Sequence, residues 1–180
     1  VDTGPTSSRE AVALGVHLFH FDGAAVAVLQ RAANRQYDNA CRLEVVATGE
    51  VSELLLAQVR RLMVERSVFR GQVLAFDLTG GMYEPSAGGI RFLERPALAA
   101  EEVVLPEGTL ARVERHVVGA VRHRDALRAA GQHLKRGLLL YGPPGTGKTH
   151  TVRYLLAAMP GVTCVVLSGN ALGLVSDATE

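Results

Sequence analysis

The chain has 180 residues, 48% of them hydrophobic, with 19 basic against 18 acidic side chains. That apolar content is ample for a packed core and excludes wholesale disorder, and the length suits one or two domains. Residues 1–100 carry 10 basic and 11 acidic groups and residues 101–180 carry 9 and 7, so neither half is an electrostatic footprint for nucleic acid.

Arginine outnumbers lysine 17 to 2, which reads, with the many alanines, as the mark of a high-GC genome. Cys41 and Cys164 are too few and too isolated for a disulfide framework or a zinc site, which suits a reducing cytoplasm. Ala11 to Leu29 is apolar and follows Arg9, but His17, His20 and Asp22 interrupt it. No run there approaches the roughly 18–20 apolar residues of a membrane span, so no membrane partner is expected.

Taken in order, residues 1–10 are polar and turn-rich and predict a loose terminus. Ala11 to His20 is apolar without a clean period and leaves helix and strand both open. Asp22-Gly23 reads as a turn, and Ala24 to Arg31 and Arg42 to Thr48 as strands flanking a loop over residues 34–39. Ser52 is placed to cap a helix running to Arg66, with Leu55, Val59, Leu62 and Met63 as its apolar stripe. Phe69 to Leu78 and Ile90 to Glu94 predict two further strands around a glycine-rich loop at residues 80–89.

None of this region forms a catalytic constellation. His17 and His20 would share a face only in a helix, and a third metal ligand is missing. Asp22, Asp38, Glu44 and Asp77 fall on separate elements, and Arg60, Arg61, Arg66 and Arg70 read as a solvated helix face.

Residues 96–108 form a connector punctuated by Pro106 and Gly108. Thr109 then caps a predicted helix from Leu110 to Arg122 with Val113, Val117, Val118 and Val121 as its apolar stripe. A second helical piece over Asp125 to Ala130 ends at Gly131. Between Thr109 and Arg136 there are seven Lys or Arg against Glu114 and Asp125, either a solvated face or the rim of a polyanion pocket.

Leu138 to Tyr141 predicts a short apolar strand, and Gly142-Pro143-Pro144-Gly145-Thr146-Gly147-Lys148-Thr149 follows it. This is the phosphate-binding pattern G-x-x-x-x-G-K-[ST] in its strand–loop–helix setting. Gly142, Gly145 and Gly147 let the backbone take positive φ close to a polyphosphate, and Pro143 and Pro144 stiffen the approach where no donor is needed. The N–H groups of Gly145 to Thr149 form an anion nest at a helix N-terminus. Lys148 reaches the β- and γ-phosphates of ATP as the catalytic charge, and the Thr149 hydroxyl is the Mg²⁺ ligand. The candidate nucleotide-binding stretch is therefore Gly142 through His150. The helix runs on from His150 to Met159, Pro160-Gly161 stops it, and Val162 to Leu167 predicts a buried parallel strand. Strand, helix and strand make a βαβ unit; a turn at residues 168–170 and a helix from Ala171 follow.

The wording from Arg136-Gly137 to Lys148-Thr149 closely resembles the opening of AAA+ ATPases, and the likeness extends over residues 109–170. The resemblance implies an oligomeric, ring-forming ATPase that couples hydrolysis to remodelling a macromolecule. It also implies that the first hundred residues contact a substrate, an adaptor or a neighbouring subunit. By position, Val117-Val118-Gly119 would lie beside the adenine. The expected fold is α/β: a small α+β module over 1–100, a connector over 101–108, and the N-terminal portion of an ATPase domain over 109–180, with an incomplete parallel sheet.

A second acidic strand end, the polar sensors and an arginine finger are not found in these residues, so the expectation is an N-terminal fragment that hydrolyses little alone. On that expectation Val165 or its neighbours should be exposed. A P-loop kinase or nucleotide transferase, and an interaction module with a vestigial loop, stay open as alternatives.

Overall fold

The computed structural model describes residues 1–33, 40–76 and 90–167. The loops expected over residues 34–39 and 80–89, the turn at 168–170, the helix from Ala171, and the positions Asp38, Asp77 and Leu78 lie outside the described residues. The fold is mixed α/β, as the sequence predicts, and its strands form two three-stranded sheets. Two compact units divide the chain: Val1–Arg70, Leu74–Leu93 and Val165–Glu180 form one, and Gly71–Val73 with Glu94–Cys164 form the other.

In the first unit, β1 (Leu14–Phe21), β2 (Ala24–Arg31) and β3 (Arg42–Val46) make an antiparallel sheet in that order. The open reading of residues 11–20 thus resolves as strand. Asp22 and Gly23, at φ of 50° and 76°, form the two-residue hairpin turn that suits the right-handed twist of its strands. The register sets Val26 opposite Phe19 and Val28 opposite both His17 and Val45. Val26 and Val28 are buried with Leu55 of α1 (Val51–Glu65), and Phe21, Val45, Val51 and Val59 pack around them. Each fully buried aliphatic side chain of this kind contributes about 1.5–3 kcal/mol. The other face of the sheet leaves Leu14, Val16, Leu18 and Val46 exposed.

Several local expectations change here. The terminus is not loose: Asp2 bridges Ser8, Thr3 N–H donates to Ser7, and Arg9 N–H donates to the Val1 carbonyl, closing a small hairpin. Helix α1 starts one residue before Ser52, which therefore lies inside it, and no side chain caps its N-terminus. Met63 is exposed: it continues the Val51–Leu55–Val59 series, but each four-residue step drifts about 40° around the helix, and by Met63 the series has turned off the face that Leu55 buries. His17 and His20 lie an odd number of residues apart on a strand and so point to opposite faces. Of the strand predicted from Phe69, the described residues form β4 (Val73–Phe76), which starts late because Gly71 at φ 72° turns the chain before it. With β5 (Ile90–Leu93) and β6 (Cys164–Leu167) it makes the second sheet, in the order β5–β4–β6.

The second unit is built on helices. After a 3-10 turn at Ala100–Glu102 come α2 (Thr109–Arg122), α3 (Arg124–Ala129) and α4 (Lys148–Ala157). Thr109 is the first residue of α2 rather than its cap; Gly108 at φ 71° holds the cap position. α3 ends as expected at Gly131, which sits at φ 70°. Gly131 N–H donates to Arg128 and Gln132 N–H to Leu127, the paired bonds that satisfy a helix's last carbonyls. The core joins Val113 and Val118 of α2 to Tyr154 and Leu155 of α4 and to Val103. Within it the Tyr154 hydroxyl donates to the Glu114 carboxylate. That bond and burial push the phenol up to about 12.

Arg95 fastens the far end of α4. Its guanidinium donates to the carbonyls of Leu156, Met159 (3.1 Å), Gly71 (3.1 Å) and Val162 (2.7 Å). A cation at a helix C-terminus satisfies carbonyls that have no helical donor and complements the helix dipole.

The strand predicted at Leu138 to Tyr141 does not form, for residues 132–142 carry no regular structure. A strand exists only where a neighbour completes its ladder, and among the described residues β6 pairs with β4 instead. Leu139 and Tyr141 are 88% and 96% exposed, and Val165 on β6 is 51% exposed, in keeping with the exposure expected there.

Candidate phosphate-binding site

The loop from Gly142 to Thr149 joins the extended segment to α4. Gly145 and Gly147 both stand at φ 80°, in the left-handed region that only glycine enters without strain. Gly142 stands at φ 153°, and a Cβ there would come within 3.1 Å of the Thr146 hydroxyl. That hydroxyl donates to the Pro143 carbonyl at 2.9 Å and closes the turn. Pro143, Pro144, Gly145 and Thr146 are exposed on the loop's crest.

α4 opens at Lys148 with Gly147 in the cap position. The first bond into the helix runs from Thr151 N–H to the Gly147 carbonyl at 2.8 Å, and the Thr151 hydroxyl doubles it at 3.0 Å. The amides of Lys148, Thr149 and His150 precede that bond and remain free of the helical ladder. They sit at the positive end of the helix dipole, where anionic oxygens are favoured.

The Lys148 ammonium is folded over the loop and donates to the carbonyls of Gly142 (2.8 Å) and Pro143 (2.6 Å). These neutral acceptors hold the charge beside the nest. Thr149 is exposed one residue further on. His150 is turned away: its Nε2–H donates to the Glu102 carbonyl at 3.0 Å, tying the first turn of α4 to the 3-10 turn. Its side chain therefore supports the loop, and only its amide belongs to the nest.

The structure brings Gly142 through Thr149 together as one cradle. Left-handed glycines, free helix-end amides, an ammonium and a hydroxyl are the set a magnesium-bound nucleoside triphosphate needs. The three-valine reading for the adenine fares differently. Val118 is 4% exposed and belongs to the core, Val117 packs against that core, and Gly119 lines a cleft on the other side of α2. Sequence reasoning did not find Arg95, because its partners are backbone carbonyls that leave no pattern in residue type. Among the described residues no helix is long and apolar enough to cross a membrane.

The family described as ATPase family associated with various cellular activities (AAA) matches residues 138–179. The chain is 36% identical over 102 residues to the ATP-dependent zinc metalloprotease FtsH 2 of Symbiobacterium thermophilum, covering 56% of this chain and 16% of that protein. It is 28% identical over 113 residues to the proteasome-activating nucleotidase of Aeropyrum pernix, covering 58% of this chain and 28% of that one. Against the human ATPase family AAA domain-containing protein 3A the identity is 40% over 80 residues, covering 44% and 13%. The chain thus spans between about a tenth and under a third of the length of these relatives. No solved structure gives a significant match. Loop wording, loop geometry and relatives agree on residues 138–179 as the segment that matches the AAA ATPases.

Proposed function

We propose that the cradle from Gly142 to Thr149 binds ATP with Mg²⁺, and that the protein to which this chain belongs hydrolyses it to remodel a protein substrate. The observation that carries the reading is the geometry of the nest: left-handed Gly145 and Gly147 lead into free amides at the start of α4, with the Lys148 ammonium folded back onto the Gly142 and Pro143 carbonyls. Bound phosphate would exchange the neutral carbonyl acceptors of Lys148 for charged oxygens, a stronger hydrogen bond. The backbone of Gly142, Pro143, Pro144, Gly145, Thr146 and Gly147 would shape the cradle, the His150 amide would complete it, and Thr149 would hold the metal. The bound Mg²⁺ would supply charge neutralisation at the β- and γ-oxygens.

The similarity to FtsH and to proteasome-activating nucleotidases supports a protein substrate and a homo-oligomeric ring. It favours this reading over the kinase and vestigial-loop alternatives. We further propose that residues 1–100 serve substrate, adaptor or subunit contact, that 101–108 connect, and that 109–180 belong to the ATPase domain. A cytoplasmic setting fits Cys41 and Cys164, which are both free thiols.

Calorimetric titration of ATP with Mg²⁺ tests the site. Lys148→Ala should weaken binding by about tenfold or more, the loss of one charge-assisted contact of about 1.5–3 kcal/mol. Equal affinity in parent and variant would sink the assignment.

A further inference from the structure

We propose that the outer face of α2 forms a second anion site, separate from the phosphate loop and suited to a small phosphate-bearing polyanion. A cleft of about 470 Å³ lies on this face, lined by Arg112, Arg115, His116 and His123, with Arg136 from the following segment and Leu127 of α3. That volume falls in the range of small-molecule sites, about 300–1,000 Å³. No residue of the phosphate loop lines it, and neither does any carboxylate.

The arrangement follows from helix periodicity. Arg112, His116, Gly119 and His123 recur at spacings of four, three and four, a single stripe along α2. Val113 and Val118 face the core instead. The one acid on the helix, Glu114, is spent on that other side, where it accepts the Tyr154 hydroxyl. The stripe is therefore basic with no acid of its own.

Nor do the arginines find carboxylates elsewhere. Arg31–Glu44, Arg61–Glu65 and Arg124–Asp125 pair among the described residues, and none of these pairs includes Arg112, Arg115 or Arg136. Arg112 makes only a long 3.4 Å contact with the Thr109 hydroxyl. Arg136 and His116 are oriented by backbone carbonyls, Arg136 on His133 and Lys135 at 3.0 Å each and His116 on Gly137 at 2.8 Å. Three guanidiniums converge on one concavity without a counter-charge, and like charges held together favour an anion that neutralises them. The planar guanidinium fork matches phosphate oxygens, so the ligand class is a phosphate-bearing anion.

The cleft argues for a small anion rather than a nucleic-acid strand. No Phe, Tyr or Trp side chain lines it to stack a base, and the near-balanced charge of the rest of the chain offers no track for a backbone.

The test is calorimetric titration of inorganic tripolyphosphate into the purified chain carrying Lys148→Ala, so that the phosphate loop contributes least. Binding should persist there and fall by about tenfold or more when Arg112→Gln and Arg115→Gln are added. Arg115→Gln alone should give a smaller loss of the same sign, with an unchanged thermal melt in either case. In the chain with Lys148 intact, the two glutamines should leave ATP affinity within about twofold. Absence of tripolyphosphate binding in the Lys148→Ala chain, or binding indifferent to the glutamines, would overturn the site. Loss of ATP binding in the glutamine variant would make the cleft part of the nucleotide site and overturn its separateness. Tighter binding of a single-stranded oligonucleotide than of tripolyphosphate would overturn the ligand class.

Discussion

Strand β2 and the segment Leu138 to Tyr141 are alike in sequence, both short and apolar, yet one anchors a core and the other lies bare. β2 has a ladder on each edge and α1 against one face, so Val26 falls to 3% exposure. The segment before the phosphate loop has no ladder partner among the described residues, and Leu139 stands at 88%. Apolar composition sets what a stretch gains from burial. Only a neighbour with free donors and acceptors turns it into a strand.

The contrast is broken most directly by truncating a side chain on each side of it. Leu55→Ala, beneath β2, should cost about 2–5 kcal/mol in urea unfolding, by lost transfer energy and the cavity left behind. Leu139→Ala should change stability by less than about 0.5 kcal/mol. Similar costs would mean that residues 138–141 are packed after all. A second variant sharpens how the loop helix is held without a sheet beneath its lead-in. Arg95→Ala removes the donor to four carbonyls and should cost about 2–3 kcal/mol. Arg95→Lys should recover only part of that, because an ammonium lacks the planar fork.

The smallest effect appears only in alkali. Tyr154 ionises near 10 when unfolded and is pushed up to about 12 when folded, chiefly by its hydrogen bond to Glu114. A group that holds its proton longer in the native state contributes stability below pH 10 and loses it as pH rises toward 12. Thermal melts across that window should fall more steeply for the parent than for Tyr154→Phe. Parallel curves would show that the phenol is not held in this way.

The sequence disclosed most where side-chain identity alone decides the structure. Asp22-Gly23, Gly131 and the phosphate-loop glycines were legible because left-handed backbone selects glycine or a short polar residue. The apolar stripe of α2 was legible because a helix repeats on itself. The failures share another cause. The state of residues 138–141, the reach of β4 and the order β5–β4–β6 depend on which distant strand arrives as partner, and no local pattern records that. The Arg95 clamp was hidden for a related reason, since its acceptors are main chain. The basic stripe of α2 was visible as a charge excess, but its convergence with Arg136 needed coordinates.

The central claim is that the backbone amides at the start of α4 hold the phosphates of a nucleotide. Amide chemical shifts of the isotope-labelled chain, followed through a titration with ATP and Mg²⁺, test it residue by residue. The account predicts the largest shifts at Gly145, Gly147, Lys148 and Thr149, much reduced in Lys148→Ala. Saturable ATP binding that leaves those four amides unmoved while shifting others would contradict it.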